Sequence, residues 1–533
     1  MPGFKCSSLA FVAGALHPQI IRDLELKTFG LETYQDDEVL ACSIAPDGSH
    51  FFVWKEVDRT LREFEYRFGR KDTEAFVEFG LRLQKVASIV KPTLLHPPPP
   101  LSGIIQMFEE SDNSTLFTEF ICLSIKDLLD RYFESDQLKG FLTFLGMVST
   151  FGGPRTPGTA YSYTHHSTHD FEGRFGQWGF ARGGMGNITD AMAKGARHFG
   201  ATIRTNAPVE RVIVERGNVR GIVLVGGAEV HASVVMSNAD PKRTFLTLVD
   251  PAHLPSGFIE DVRSLDFRGS MAKVIVAANV LPDYVGFDSA EEGPQHRGHT
   301  MLGADLERFE RAWDAQKYGR LPDELFLELM IQTVHDPDMA PRGKHLLNLG
   351  VPQLPIDLAE GTWDDLNPEF TKKVIDTLFE YAPNLRGNII ATYAITPLDI
   401  KREYGLTGGN IFHGAMHLNQ LFGFRPLPGW SDYMAPIEGL YLCGAEMHPG
   451  GAVNGAPGHN AAKVVLQDLG VGIQTEGGAM GVVPQRAQVR ASRSVASLEQ
   501  IYRQPTLRSV GIALAKQRWL RPVTRFLTRG RSS

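Results

Sequence analysis

Residues 439–462 read Gly-Leu-Tyr-Leu-Cys-Gly-Ala-Glu-Met-His-Pro-Gly-Gly-Ala-Val-Asn-Gly-Ala-Pro-Gly-His-Asn-Ala-Ala. A short apolar run ends at Gly444, an acid follows at Glu446, and a glycine-rich turn leads into a helix-periodic stretch that starts near Gly455. These residue types suit the binding of a nucleotide cofactor. Glycine lets the backbone approach a ligand. A carboxylate accepts hydrogen bonds from ribose or ribityl hydroxyls. The N–H groups at a helix start favour a diphosphate or an electron-rich carbonyl. The stretch reads as the flavin-side half of an FAD site. The usual other half, a Gly-x-Gly-x-x-Gly after an apolar strand, occurs nowhere in the 533 residues.

Other candidate groups are less specific. His413 and His448 sit on glycine-rich loops, where each could contact cofactor or substrate or make a structural hydrogen bond, so no catalytic residue is assigned. His165, His166 and His169 lie in an aromatic stretch, 159–182, that either lines an apolar cavity or packs as an irregular subdomain. No acid or cysteine stands at ligand spacing from them, so no metal site is expected.

Several elements must position these groups. Segments 60–68 and 72–86 carry apolar residues at three- and four-residue spacing and predict amphipathic helices. Helices are also expected over 125–133, 138–147, after Gly183-Gly-Met-Gly186 and over 369–381, and a strand over 200–205. From 207 to 235 alternating apolar residues with Asn/Gly turns predict a β-meander, followed by a buried strand at 234–236. Strands at 272–281, 324–333 and 345–351 suggest an antiparallel sheet.

Size and composition bound the rest. A chain of 533 residues implies two interleaved domains. Residues 477–533 hold eleven Lys or Arg against the single acid Glu499, so residues 1–476 carry −17 of the net −7. An acidic body argues against nucleic acid as a partner. The four cysteines are scattered, which suggests a reducing compartment. There is no apolar run of 18 residues and no signal peptide at Met1.

Five blocks in order, Gly183-Gly-Met-Gly186, Ala207-Pro-Val209, Ser237-Asn-Ala-Asp240, Gly408-Gly-Asn-Ile-Phe-His413 and Tyr441-Leu-Cys-Gly-Ala-Glu446, resemble the phytoene-dehydrogenase-like FAD oxidoreductases. Within them the chain is most similar to the pyridine nucleotide-disulphide oxidoreductase domain-containing protein 2 group, over about residues 2–470. The resemblance implies an α/β fold of monoamine-oxidase or phytoene-desaturase type. Its doubly wound FAD domain would be assembled from 1–60, 183–265 and 400–470, its α+β substrate domain from 61–182 and 266–399, with a basic tail at 471–533. It also implies that Val209 reads the adenine edge through its backbone, and that Gly444, Glu446, Asn454, Gly455 and Ala456 are flavin-side contacts. Members of this family begin with a βαβ unit that this sequence lacks, so Met1 is expected to be a truncated or misassigned start, and FAD is expected to bind weakly or not at all. In-frame Gly-x-Gly-x-x-Gly codons upstream would support that expectation.

The implied activity is FAD-dependent oxidation of an apolar substrate, an isoprenoid among the candidates, with the electron acceptor open. The alternative is a non-catalytic binding protein on the same fold, as in Rab GDP-dissociation inhibitors. Leu507, Val510 and Leu514 share one face of the basic tail, which reads either as a helix on anionic lipid or as an unstructured tail. The resemblance places the chain in the cytoplasm or at the membrane of a bacterium, or in the mitochondrial matrix of a eukaryote.

Overall fold

Strands rich in Val, Ile and Leu build the largest element. In the computed structural model, which describes residues 1–471 apart from 149, 172, 289 and 290, seven strands form one sheet. Their spatial order is Ile389–Ile395, Ser270–Ala278, His345–Leu354, Leu327–Met330, His299–Leu302, Val39–Ile44, His50–Trp54. Neighbours are antiparallel except for His299–Leu302 against Val39–Ile44, which are parallel. One face, with Val274, Leu349 and Leu329, packs on the helix Trp363–Tyr381 through Phe370, Val374 and Leu378. The opposite face contributes Phe51 and Met301 to an aromatic core with Phe64, Phe79 and Phe144 from the helices that follow.

Two of those helices were expected at 60–68 and 72–86. They form one element, Val57–Val90, interrupted at Gly69, whose φ of 85° is outside helical geometry. Asp136–Met147 and Thr159–Ser167 complete the helical layer near the sheet. Val39–Ile44 and His50–Trp54 join the large sheet rather than the nucleotide-binding segments. The cause is a long-range parallel register, Ala41 against His299, which no local pattern announces.

The meander forms as Val209–Glu215, Asn218–Leu224 and Glu229–His231. Val235–Ser237 pairs in parallel with Leu440–Leu442, and the helix Ala456–Asp468 covers that pair through Ala461. Among the described residues this parallel pair represents the doubly wound sheet. No strand forms at 200–205, where the chain is exposed along its length. All four cysteines are free. No helix among the described residues is long and apolar enough to cross a membrane. The basic segment 477–533 lies outside the described residues.

Candidate functional site

The strand Leu440–Leu442 delivers its C-terminal end into a cluster of buried polar groups. Gly444 N–H donates to Glu446 Oε1 at 2.9 Å, and Glu446 Oε2 lies 3.2 Å from His413 Nδ1. Glu446 is 1 % exposed, and burial raises its carboxyl value against the pull of His413. A Cβ on Gly444 would stand 2.2 Å from Glu446 Oε2 and 2.6 Å from Asn238 O, so only glycine lets the carboxylate fold back onto the strand end.

The next turn is strained. Gly450, Ala452, Val453 and Gly455 have φ of 106°, 80°, 56° and 73°. A β-branched residue in the left-handed region is an outlier that surrounding structure must enforce, and such strain concentrates at ligand sites. Asn454 enforces it: its Nδ2 donates to the carbonyls of Gly450 (2.9 Å) and Gly451 (2.5 Å), while its Oδ1 accepts from Ala456 N at 2.8 Å. His413, Phe422 and Tyr433 also have positive φ, at 55°, 49° and 69°.

Arg425 holds these strained pieces together. It is 2 % exposed and donates to four carbonyls: Ala445 from Nε (3.2 Å) and Nη2 (2.8 Å), Phe412 (2.7 Å), Gln420 (3.2 Å) and Gly414 (3.4 Å). Burial lowers its value to about 10 while Glu446 pulls it back, so it stays charged at neutral pH.

A cavity of about 360 Å³ opens beyond the turn. Ala445, Gly451, Ala452 and Val453 form one wall, and Lys273, His299 and Glu328 of the large sheet form another. Lys273, Gly350, Glu328 and Met301 lie in one row across four strands. Side chains in such a row share a face. Gly350 stands between the acid and the base: a Cβ there would be 2.4 Å from Glu328 Oε2 and 3.1 Å from Lys273 Nζ. Its bare backbone lets Lys273 Nζ come within 3.5 Å of Glu328 Oε2. Glu328 Oε1 is 2.7 Å from His299 Nε2, and Lys273 Nζ sits 3.6 Å above the Phe11 ring. Burial pushes Lys273 down to about 8. Burial raises Glu328, but Lys273 and His299 together hold it below its ordinary value. A second, mainly apolar chamber of about 200 Å³ shares Val12, Leu145, Trp178 and His299 with the first.

The three histidines of the aromatic stretch are buried beside this cavity. His166 donates from Nδ1 to Ser162 O at 2.7 Å, stacks on Phe412 and lines the larger cavity. The Nε2 atoms of His165, His166 and His169 have no partner. Burial lowers His166 to about 4 and His169 to about 3, and lowers His165 as well, with its neighbouring imidazoles adding to the effect. No three metal-ligating side chains converge among the described residues.

These depressed values carry a stability consequence. An unfolded imidazole titrates near 6.5, above the folded-state values. The stabilisation is therefore complete above about pH 6.5 and is lost as the pH falls towards 4 and 3, because the unfolded chain binds protons that the folded chain does not. At pH 5 the loss is about 2 kcal/mol per imidazole. Urea unfolding at pH 7 and pH 5 should show this drop, and His169→Gln should reduce it. An unchanged pH dependence in His169→Gln would contradict the assignment.

The structure brings Gly444 and Glu446 together at one strand end, and Asn454, Gly455 and Ala456 at the start of the following helix. Val209 stands apart, half-buried at the first position of the meander opposite Leu224, and lines neither cavity. His448 lies 3.2 Å from Thr93 O through Nε2 and His413 binds Glu446, so each makes a structural contact. Sequence reasoning missed Lys273, Glu328, His299 and Arg425. A lone lysine inside the otherwise apolar and small run Ser270–Ala278 was the available signal for Lys273; Arg425 carried none.

The residues present suit the ring end of a flavin. The cavity falls within the usual range for small-molecule sites, about 300–1,000 Å³, with a strained turn on one side and a buried cation on the other. No diphosphate-binding Gly-x-Gly-x-x-Gly lies among the described residues.

Comparisons with known proteins give the family and the fold. The family model of the flavin containing amine oxidoreductases matches residues 57–346. The chain is 34% identical over 504 residues to the pyridine nucleotide-disulfide oxidoreductase domain-containing protein 2 of Rattus norvegicus, covering 88% of this chain and 86% of that protein. It is 28% identical over 350 residues to a lycopene-forming phytoene desaturase of Pseudescherichia vulneris, covering 65% and 66%. Among solved structures, a putrescine oxidase bound to putrescine superposes with a TM-score of 0.54 at 13% identity, covering 86% of this chain and 87% of that one.

Proposed function

Because this chain belongs to the flavin-containing amine oxidoreductases, in the group of pyridine nucleotide-disulfide oxidoreductase domain-containing protein 2, we propose that it is an FAD-dependent dehydrogenase of a compact apolar substrate. One observation carries the proposal. A single cavity is bounded on one side by the strained turn at Ala452 and Val453 and on the other by the buried Lys273–Glu328–His299 group.

The larger cavity takes the flavin ring. Ala445 and Gly451 to Val453, which line it, would hold the ring, Asn454 keeps the turn in shape, and Gly444, Glu446, Gly455 and Ala456 would hold the ribityl side. Val209 serves the adenine edge. A bound flavin supplies a two-electron acceptor. Lys273 supports negative charge from the sheet side. Burial lowers its value to about 8, which leaves it mostly charged at neutral pH, and Glu328 keeps the ammonium in place.

The smaller chamber takes the substrate. A cavity of about 150 Å³ lined by aliphatic and aromatic residues stays dry and binds benzene. By that measure about 200 Å³ admits one ring with a few further heavy atoms, or a short isoprenoid unit. The similarity to a phytoene desaturase supports an apolar substrate. Anaerobic mixing of the FAD-loaded protein with single-ring apolar compounds should bleach the flavin, and compounds of three or more fused rings should not. Reduction by the large compounds alone would overturn the assignment of the chamber.

A further inference from the structure

The wall between the two chambers holds a proton acceptor. His299 lines both cavities and is the only titratable side chain they share. Its ring is wedged edge-on between Phe11 and Phe144, each with centroids 5.8 Å away and interplanar angles of 81° and 79°. Its Nε2 lies 2.7 Å from Glu328 Oε1. Glu328 is held in its charged form, and a carboxylate only accepts, so Nε2 carries the hydrogen. Nδ1 is then a bare lone pair, with no hydrogen-bond partner among the described residues. Glu328 is anchored in turn by Lys273, two strands away in the same row.

A buried acid that fixes the tautomer of an imidazole, in a residue that lines a substrate chamber, is the arrangement of a general base and its orienting group. We propose that His299 is a catalytic residue that takes a proton from the substrate at Nδ1, and that the substrate is a compact apolar alcohol. The inference rests on the reading of the smaller chamber as the substrate site. For an alcohol, the C–H bond breaks and its hydride, with the electron pair, passes to the bound flavin. The O–H bond breaks, its proton goes to Nδ1, and the electrons left on oxygen form the C=O bond. The substrate is oxidised by two electrons, the flavin is reduced, and the imidazolium returns its proton to solvent.

A hydrocarbon would have only C–H protons, which an imidazole removes poorly, so the presence of this base favours a heteroatom on the oxidised carbon. The charged and titratable groups that line the two chambers with His299 are Glu328 and Lys273 on the sheet, His166 and Tyr163 from the helix Thr159–Ser167, and Asp36.

Nitrogen-15 histidine NMR on the FAD-treated protein tests this without turnover, with benzyl alcohol and toluene as matched single-ring probes. The signal lost in His299→Phe is assigned to His299. It should show hydrogen on Nε2 and a bare Nδ1, and the Nδ1 resonance should move with benzyl alcohol but not with toluene. Glu328→Gln, which keeps the shape but removes the fixed acceptor, should mix the tautomers. The opposite tautomer, or an unmoved Nδ1 while benzyl alcohol binds, would overturn the role of His299 and leave the chamber assignment standing. Failure of both probes to bind would overturn both.

Discussion

Replacing Arg425 with methionine should lower the unfolding free energy by about 3–5 kcal/mol and abolish flavin binding. The methionine fills similar space, so the loss is not mainly a cavity. It comes from the carbonyls of Ala445, Phe412 and Gln420, each left buried without its donor, at about 1–3 kcal/mol apiece before relaxation. Removing one charge from a buried cluster costs a similar amount, since Glu446 then keeps His413 as its only close counter-group. Against a total stability of about 5–15 kcal/mol this is a large fraction. Arg425→Lys should recover little, because an ammonium cannot span the same set of carbonyls that a guanidinium reaches in one plane. Urea denaturation with flavin retention on a sizing column measures both effects. A change below about 1 kcal/mol with flavin retained would show that Arg425 does not hold the turn.

Lys273→Met should cost about 3–5 kcal/mol by itself, because it strands Glu328, 7 % exposed, beside a single imidazole. Adding Glu328→Gln should restore most of that stability, since a neutral amide no longer needs the cation. Activity should not follow stability. The double variant should remain reduced by roughly a hundredfold or more in flavin reduction, the scale expected when a positioned acid–base or electrostatic group is lost. Gly350→Ala should mimic the single variant, because its methyl group would occupy the line of contact between Glu328 and Lys273. A double variant as unstable as Lys273→Met, or one with full activity, would contradict the role given to the row.

What the sequence disclosed follows the range of the interactions involved. The meander, the turn at 444–456 and the helix after it were legible because local chemistry specifies them: alternation, Asn/Gly turns, and glycines where a side chain would collide with Glu446. The sheet that forms the opposite wall was only partly legible. Its strands at 39–44 and 50–54 fell inside the segment 1–60 given to the FAD domain, because their place is fixed by a parallel pairing with His299–Leu302 far along the chain. Glu328 and His299 are 29 residues apart, and their contact depends on a register that pairs Glu328 with Met301 and so puts His299 diagonally across from it on the same face. Lys273 was visible as a lone charge in a buried strand but was absorbed into the strand pattern. Arg425 binds backbone carbonyls, and carbonyls leave no trace in a sequence. The strand expected at 200–205 failed for the converse reason: its pattern was local, and no partner strand meets it among the described residues.

The central claim is that the cavity between the strained turn and Lys273 receives the flavin ring. Fluorescence titration of the purified chain with riboflavin and with FAD tests it most directly, since riboflavin needs the ring end alone. The account predicts that the folded wild-type protein quenches riboflavin as well as FAD, and that Arg425→Met and Gly350→Ala weaken both. A protein that unfolds cooperatively, and so is demonstrably folded, yet quenches neither flavin would contradict it.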